Sequence, residues 1–226
     1  MVVVAARDEA ARIGATLAAL AAALPGAQLW LADDGSRDAT ARIAERMGAR
    51  VVTCAGRLGK GAAMTAAVRR ALRCARASGG AAGETIFILC DGDLGCSAGL
   101  LSELAYTVAR DRGDLAVAAF ERAQGGGLGL VRAFARHAVR SRCGLSLRAP
   151  LSGQRALRAG ALERLLPFAE GFGMELGMTL DASRAGLAIV EIGLDLEHRS
   201  TGRSPAGFAH RARQLREIVR AYRQRR

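Results

Sequence analysis

The chain has 226 residues, half of them hydrophobic, and 33 Lys+Arg against 21 Asp+Glu give a formal net charge of +12. That length and apolar share support one domain of ordinary size with a real core. No apolar stretch reaches the ~18 residues of a membrane span, the start lacks the basic-then-apolar pattern of a signal peptide, and aromatics, at 4%, do not interleave with basic clusters as a base-stacking platform would. The five cysteines, Cys54, Cys74, Cys90, Cys96 and Cys143, form no CxxC pair. Their odd number and apolar settings read as reduced, cytoplasmic usage without a zinc site. The basic residues are almost all arginine, which reads first as a compositional bias. A positive surface still favours phosphorylated ligands or an anionic membrane.

In chain order, Val2–Ala5 is an apolar strand, followed by Arg7-Asp8-Glu9. Ile13, Leu17, Leu20 and Leu24 recur at helical spacing within 11–24, and Pro25-Gly26 stops that helix. Leu29–Ala32 is a second strand, ending in Asp33-Asp34-Gly35-Ser36. Ser36 or Asp38 caps the next helix, which runs to Met47-Gly48. Arg50–Cys54 is a third strand, and the loop Gly56–Gly61 leads into a helix reaching about Ala77. Thr85–Leu89 is a fourth, buried strand that ends in Asp91-Gly92-Asp93. Strands alternating with helices over the first 93 residues demand parallel pairing with right-handed crossovers. Each polar cluster then falls on one sheet edge, where open α/β folds place ligands.

Beyond Leu94 the spacing predicts a helix over 98–110 and a strand over 115–120. A Gly-rich loop over 121–127 precedes a basic helix over 128–142. Pro150–Ala156 is a turn into a short strand. A helix over 174–184 and a strand over 187–196 come next, then the polar loop His198–Ser204 and a closing amphipathic helix over 208–222. The domain divides into a nucleotide-binding half, 1–96, an acceptor half, 97–204, and a basic amphipathic helix, 205–226.

Two carboxylates one residue apart repel each other, and a divalent cation between them and a phosphate relieves that repulsion. Asp91 and Asp93 are therefore metal candidates, with a solvated turn as the plain alternative. One aspartate of Asp33-Asp34 suffices for a helix cap, which leaves Asp34 for a ribose or base. Lys60 is the sole lysine. Between Gly59 and Gly61 it has room to approach a phosphate, but the loop is not a Walker A. Glu175, near a helix start, suits a general base or a favourable place in the helix dipole. His198, Arg199 and Arg203 form a late loop suited to closing on phosphates. Gly153, Gln154 and Arg155 are acceptor-side candidates.

Taken together, these motifs resemble family 2 glycosyltransferases of the GT-A fold over nearly the whole chain. The motifs are Val3–Glu9, Asp33–Thr40, Gly59-Lys60-Gly61, Asp91-Gly92-Asp93, Ser152–Ala156 and His198–Ser204. Dolichol-phosphate mannose synthase-like and glucosyl-3-phosphoglycerate synthase-like members are similar. The resemblance implies an α/β GT-A fold with a Rossmann-like, mostly parallel sheet. It implies a UDP- or GDP-sugar donor held by Ala5, Arg7, Glu9, Asp34, Lys60, Asp91, Arg199 and Arg203. It implies Mg2+ or Mn2+ on Asp91 and Asp93, joined by His198. Ala5-Ala6-Arg7 departs from the Pro-x-Asn of many members.

The expected activity is metal-dependent transfer of a hexose to a hydroxyl or phosphate acceptor. In an inverting course Glu175 is the base and Asp93 assists from the metal. A retaining course like that of the glucosyl-3-phosphoglycerate synthases, a sugar-phosphate nucleotidyltransferase, and a basic module for nucleic acid or anionic membrane are the alternatives. No nucleic-acid partner is expected. The expected location is cytoplasmic, with the last helix touching the inner membrane face, and a homodimer is left open.

Overall fold

The computed structural model describes residues 1–77, 82–120, 129–197 and 205–225, with side chains left out at 82 and 205–213. Among these residues seven strands form one sheet: β1 (Val2–Ala6), β2 (Leu29–Asp33), β3 (Arg50–Thr53), β4 (Ile86–Asp91), β5 (Leu115–Phe120), β6 (Arg155–Arg158) and β7 (Ile189–Leu194). Their order is β3-β2-β1-β4-β6-β5-β7. Every pairing is parallel except those of β6, which runs against both β4 and β5.

The central strands read as unbroken apolar runs because both their faces are covered. Residues alternate between two cores. Val3, Phe87 and Leu89 meet Met64 and Val68 of α3 (Lys60–Ala77) on one face. Val2, Val4, Ile88 and Cys90 meet Leu17 and Leu20 of α1 (Ile13–Ala23) and Leu104 of α4 (Ser102–Ala109) on the other. α2 (Thr40–Arg46) and α6 (Ala159–Arg164) are short connectors. A smaller third core joins α5 (Gly129–Cys143), α7 (Met174–Arg184) and α8 (Pro205–Gln224) through Val139, Leu180 and Ile218. Phe134 and Tyr222 meet edge-on there at 5.7 Å.

The structure differs from the sequence reading in three places. The helix expected over 98–110 starts as a 3-10 segment, Gly95–Leu101, before α4. That segment lies close on α1, where the Thr16 hydroxyl accepts the Gly95 amide and a Cβ at Gly99 would come within 3.5 Å of the Ala19 carbonyl oxygen. α6 was not anticipated, because six residues are too few to show a period. The reversed β6 was not anticipated either. The loops 121–128 and 198–204 lie outside the described residues.

The register gathers the polar strand ends. Ala6 pairs with Asp33, Asp33 with Thr53, and Ala5 with Asp91. Because β6 is reversed, its entry at Arg155 lies beside Leu89, so Gln154 arrives at that same edge. α3 leaves the edge through Gly61, whose space for a Cβ is taken by the Ala169 carbonyl oxygen at 1.8 Å. Gly61→Ala must push backbone against backbone. We expect it to cost about 3 kcal/mol, read from the urea midpoint, as overpacking in a closed contact does.

Candidate active site

The Asp33–Thr40 segment acts as a clamp on the end of β1. Asp8 has a left-handed backbone (φ 53°), unusual for a residue with a Cβ. Its amide donates to Ser36 Oγ (3.0 Å), and its carboxylate accepts the Arg37 amide (2.8 Å). The amides of Glu9 and Ala10 donate to Thr40 Oγ1 (2.8 Å) and Asp38 Oδ2 (3.0 Å). Asp38 also takes the Thr40 amide at the start of α2, and the Thr40 hydroxyl bond holds its carboxyl below the usual range. Asp33 is committed to Ser36. Asp34 Oδ1 accepts the amides of Leu58 (2.9 Å) and Gly59 (2.8 Å), so the second aspartate ties β2 to the loop that opens α3.

α3 begins on Lys60, a cation at the positive end of a helix, which is unfavourable by itself. Two carboxylates offset it. Lys60 Nζ lies 2.5 Å from Asp91 Oδ1 and 2.6 Å from Glu175 Oε1. Burial alone would push the ammonium down. Asp91 and Glu175 overrule it and hold Lys60 above the ordinary lysine range, so it stays charged at physiological pH. Glu175 is only 6% exposed, in the first turn of α7, where the helix dipole favours it. The same surroundings push the buried Cys90 thiol up, chiefly by desolvation.

The second wall is the loop before β6. Gln154 Nε2 donates to Asp91 Oδ2 (2.9 Å), and Ser152 Oγ donates to Gln154 Oε1 (3.2 Å). Arg155 does not reach the cleft. It is 1% exposed and donates to the carbonyls of Ser152 (2.9 Å) and Pro150 (3.1 Å). Burial pulls its pKa down to about 10, against the opposing pull of Glu175 and Glu191. Its observed task is to hold the loop, where the sequence reading had expected acceptor contact. Glu191 on β7 anchors the same loop by accepting the amides of Arg148 and Ala149, both at 2.7 Å.

Between these walls lies a cleft of about 500 Å³. Ala5, Arg7, Glu9, Asp34, Lys60, Asp91, Asp93, Gly153 and Gln154, all candidates from the sequence, line it. Glu175 does not line it and stands behind Lys60. His198, Arg199 and Arg203 lie outside the described residues. Sequence reasoning missed Phe120, Arg132, Phe172 and Gln214, which also face the cleft. They are scattered from β5 to α8 with no local motif. Only the basic spacing of α5 hinted at Arg132.

Asp91 and Asp93 present hard oxygen donors at an open cleft. Among the described residues no third His, Cys, Asp or Glu completes a metal cluster. Asp91 gives one contact per oxygen to Lys60 and Gln154, and a carboxylate oxygen has a second lone pair to offer. Such a donor set fits Mg2+ or Mn2+, which keeps water and substrate phosphate as its remaining ligands. Arg7 lines the cleft with its Nε 3.6 Å from the Asp8 carboxylate and makes no hydrogen bond through that atom among the described residues.

A mostly parallel sheet with its polar strand ends gathered round an acidic, lysine-braced cleft is the arrangement of nucleotide-sugar transferases. The model described as Glycosyl transferase family 2 matches residues 1–165, and the chain belongs to that family. No curated protein matches it. Structures of glucosyl-3-phosphoglycerate synthase from Mycobacterium tuberculosis are similar, each aligning 99% of this chain with 78% of the other. The complex with Mn2+, UDP and glucosyl-3-phosphoglycerate has 26% identity and a TM-score of 0.75. The complex with Mg2+ and UDP has 26% and 0.77. The complex with Mn2+, UDP-glucose and phosphoglyceric acid has 25% and 0.74. The GT-A fold and the glycosyltransferase class expected from the sequence both stand. Among the described residues no helix is long and apolar enough to cross a membrane.

Two outcomes follow from the lysine bridge. Lys60→Met leaves Glu175 buried without its counter-charge and is expected to cost about 3 kcal/mol in urea unfolding, with Glu175→Gln in the same chain recovering part of it. A Cβ at Gly153 would lie 2.6 Å from both Asp91 Oδ2 and Lys60 Nζ. Gly153→Ala is therefore expected to cut steady-state turnover about a hundredfold by displacing those groups.

Proposed function

We propose that this chain transfers a hexose from a UDP-sugar to a small anionic acceptor, with Mg2+ or Mn2+ on Asp91 and Asp93. The observation that carries this is one cleft that gathers Asp34, Lys60, Asp91 and Asp93 on its donor wall and Arg132 on α5. Arg132 makes no ion pair among the described residues, which fits a phosphate or carboxylate on the acceptor. The likeness to a synthase solved with UDP-glucose and phosphoglyceric acid supports both halves of the reading.

A bound divalent cation would neutralise charge on the departing diphosphate. The chain's own residues do the rest. Asp34 and the clamped β1 end receive the nucleoside. Lys60, held charged, sits ready for a phosphate oxygen. Gln154 fixes the Asp91 carboxylate, and Phe172 with Gln214 closes the acceptor side. The reading from sequence that puts His198, Arg199 and Arg203 on the diphosphate is part of this proposal and concerns residues outside the described ones.

The acceptor's proton needs an acceptor of its own, and Glu175 is committed to Lys60 and set back from the cleft. In a retaining course the sugar–phosphate C–O bond breaks as the acceptor oxygen bonds to the anomeric carbon, and the departing diphosphate oxygen takes the acceptor's proton, so that one observation favours the retaining alternative over base-assisted inversion. The anomeric proton coupling of the product, read by NMR, separates the two.

The donor test is a thermal-shift series of UDP-, GDP- and ADP-glucose with and without Mn2+. Donor at a hundred times its Kd stabilises the native state by about 2.7 kcal/mol, or about 5–10 °C in a chain of this size. A shift with UDP-glucose that requires Mn2+ is the expected result. Equal shifts for all three donors, or none, contradict the proposal.

A further inference from the structure

We propose that Glu217 is a positioning residue of the active site: from α8 it sets the Gly171–Gly173 turn, and through that turn the place of Glu175 beside Lys60.

Glu217 Oε2 accepts the Phe172 amide at 2.9 Å. Its carboxylate fills the space over Gly171, where a Cβ would meet Oε2 at 2.0 Å. Gly171 has φ 54°, so glycine is required there on two counts. Gly173 is closed in the same way, with a Cβ position 3.0 Å from the Glu217 carbonyl oxygen and 2.7 Å from Ala221 Cβ. The turn runs directly into α7, and Glu175 is the second residue of that helix.

The Lys60 loop rests on the same turn. A Cβ at Gly59 would lie 3.4 Å from Gly171 Cα. The turn therefore touches both ends of the Lys60–Glu175 pair, and α8 presses on it from outside. A charged acceptor on a backbone amide is stronger than a neutral one, and this one sits at a helix start. An ordinary helix-packing contact needs no carboxylate aimed at a glycine turn. Arg220 bridges to Glu170 at 3.4 Å on the same helix, but it touches the residue before the turn and is exposed.

The inference rests on the function proposed above only for its kinetic readout. Lys60 is the sole lysine, so amine acylation followed by mass spectrometry of its peptide reports its surroundings in the intact chain without any activity assay. Displacing Glu175, which packs at 2.6 Å on the Lys60 amine, opens the space around Nζ, and the reagent reaches it more readily. Glu217→Ala is expected to raise the Lys60 acylation rate about fivefold by opening the packing around Nζ. It is also expected to lower kcat about tenfold while donor KM stays within about twofold. Glu217→Gln, which keeps an oxygen acceptor, restores most of both. Glu217→Asp withdraws the carboxylate and moves Lys60 the same way to a smaller extent, which guards against an alanine variant that does not fold. Arg220→Ala leaves the Lys60 rate unchanged. An unchanged Lys60 rate in the folded Ala or Asp variant overturns the inference, as does an equal change in Arg220→Ala. Absence of sugar transfer by the unsubstituted chain overturns the functional reading instead, and the acylation rates alone then decide the inference.

Discussion

A single ammonium between two carboxylates organises this site. Lys60 joins the start of α3, the end of β4 and the start of α7, and it reaches Glu175 across 115 positions of sequence. Each partner would be costly alone. Lys60 opposes its own helix dipole, Glu175 is buried, and Asp91 stands one residue from Asp93. Joined, Lys60 offsets both carboxylates, and the end of β4 and the start of α3 are fixed to the start of α7 beside the cleft. Removing Lys60 leaves both carboxylates uncompensated, and Glu175 stands where water reaches poorly.

Glycines make the close approach available. Gly61 lets α3 lie against the Ala169 carbonyl, and Gly153 lets the second wall come to Asp91 and Lys60. Around that centre the supporting bonds are mostly carboxylate to backbone amide. Asp34 holds Leu58 and Gly59, Asp38 holds Ala10, and Glu191 holds Arg148 and Ala149. Such bonds fix loops more tightly than neutral ones and leave the cleft side chains presented rather than consumed.

The first four strands and their polar ends were legible in the sequence because their signals are local. Apolar runs ending in paired acids mark β2 and β4, and the sole lysine marked its own position. The reversal at β6 was not legible, since four residues look the same in either direction and only pairing decides. Glu175 was found by type and position, but its partner was not, because a contact across 115 residues leaves no spacing to read. Ser36 or Asp38 was read as the cap of the next helix, within the Asp33–Thr40 motif; the structure has Ala39 at that helix start without a side-chain cap and shows Ser36, Asp38 and Thr40 stapling the Asp8–Ala10 loop. Arg155 misled for the opposite reason. Burial of an arginine among backbone carbonyls has no sequence signature, so a residue that holds the wall looked like one that faces the ligand. Phe172, Gln214 and Arg132 come together only through the packing of α5, α7 and α8.

The central claim is that Asp91 and Asp93 hold a divalent cation jointly with a nucleoside diphosphate. Titration of free Mn2+ by its EPR signal, with UDP present, tests it directly. Mn2+ uptake by the unsubstituted chain should require UDP and should weaken at least about tenfold in Asp91→Asn and in Asp93→Asn, because each substitution removes a charged oxygen ligand. Uptake that is unchanged in both variants would contradict the account.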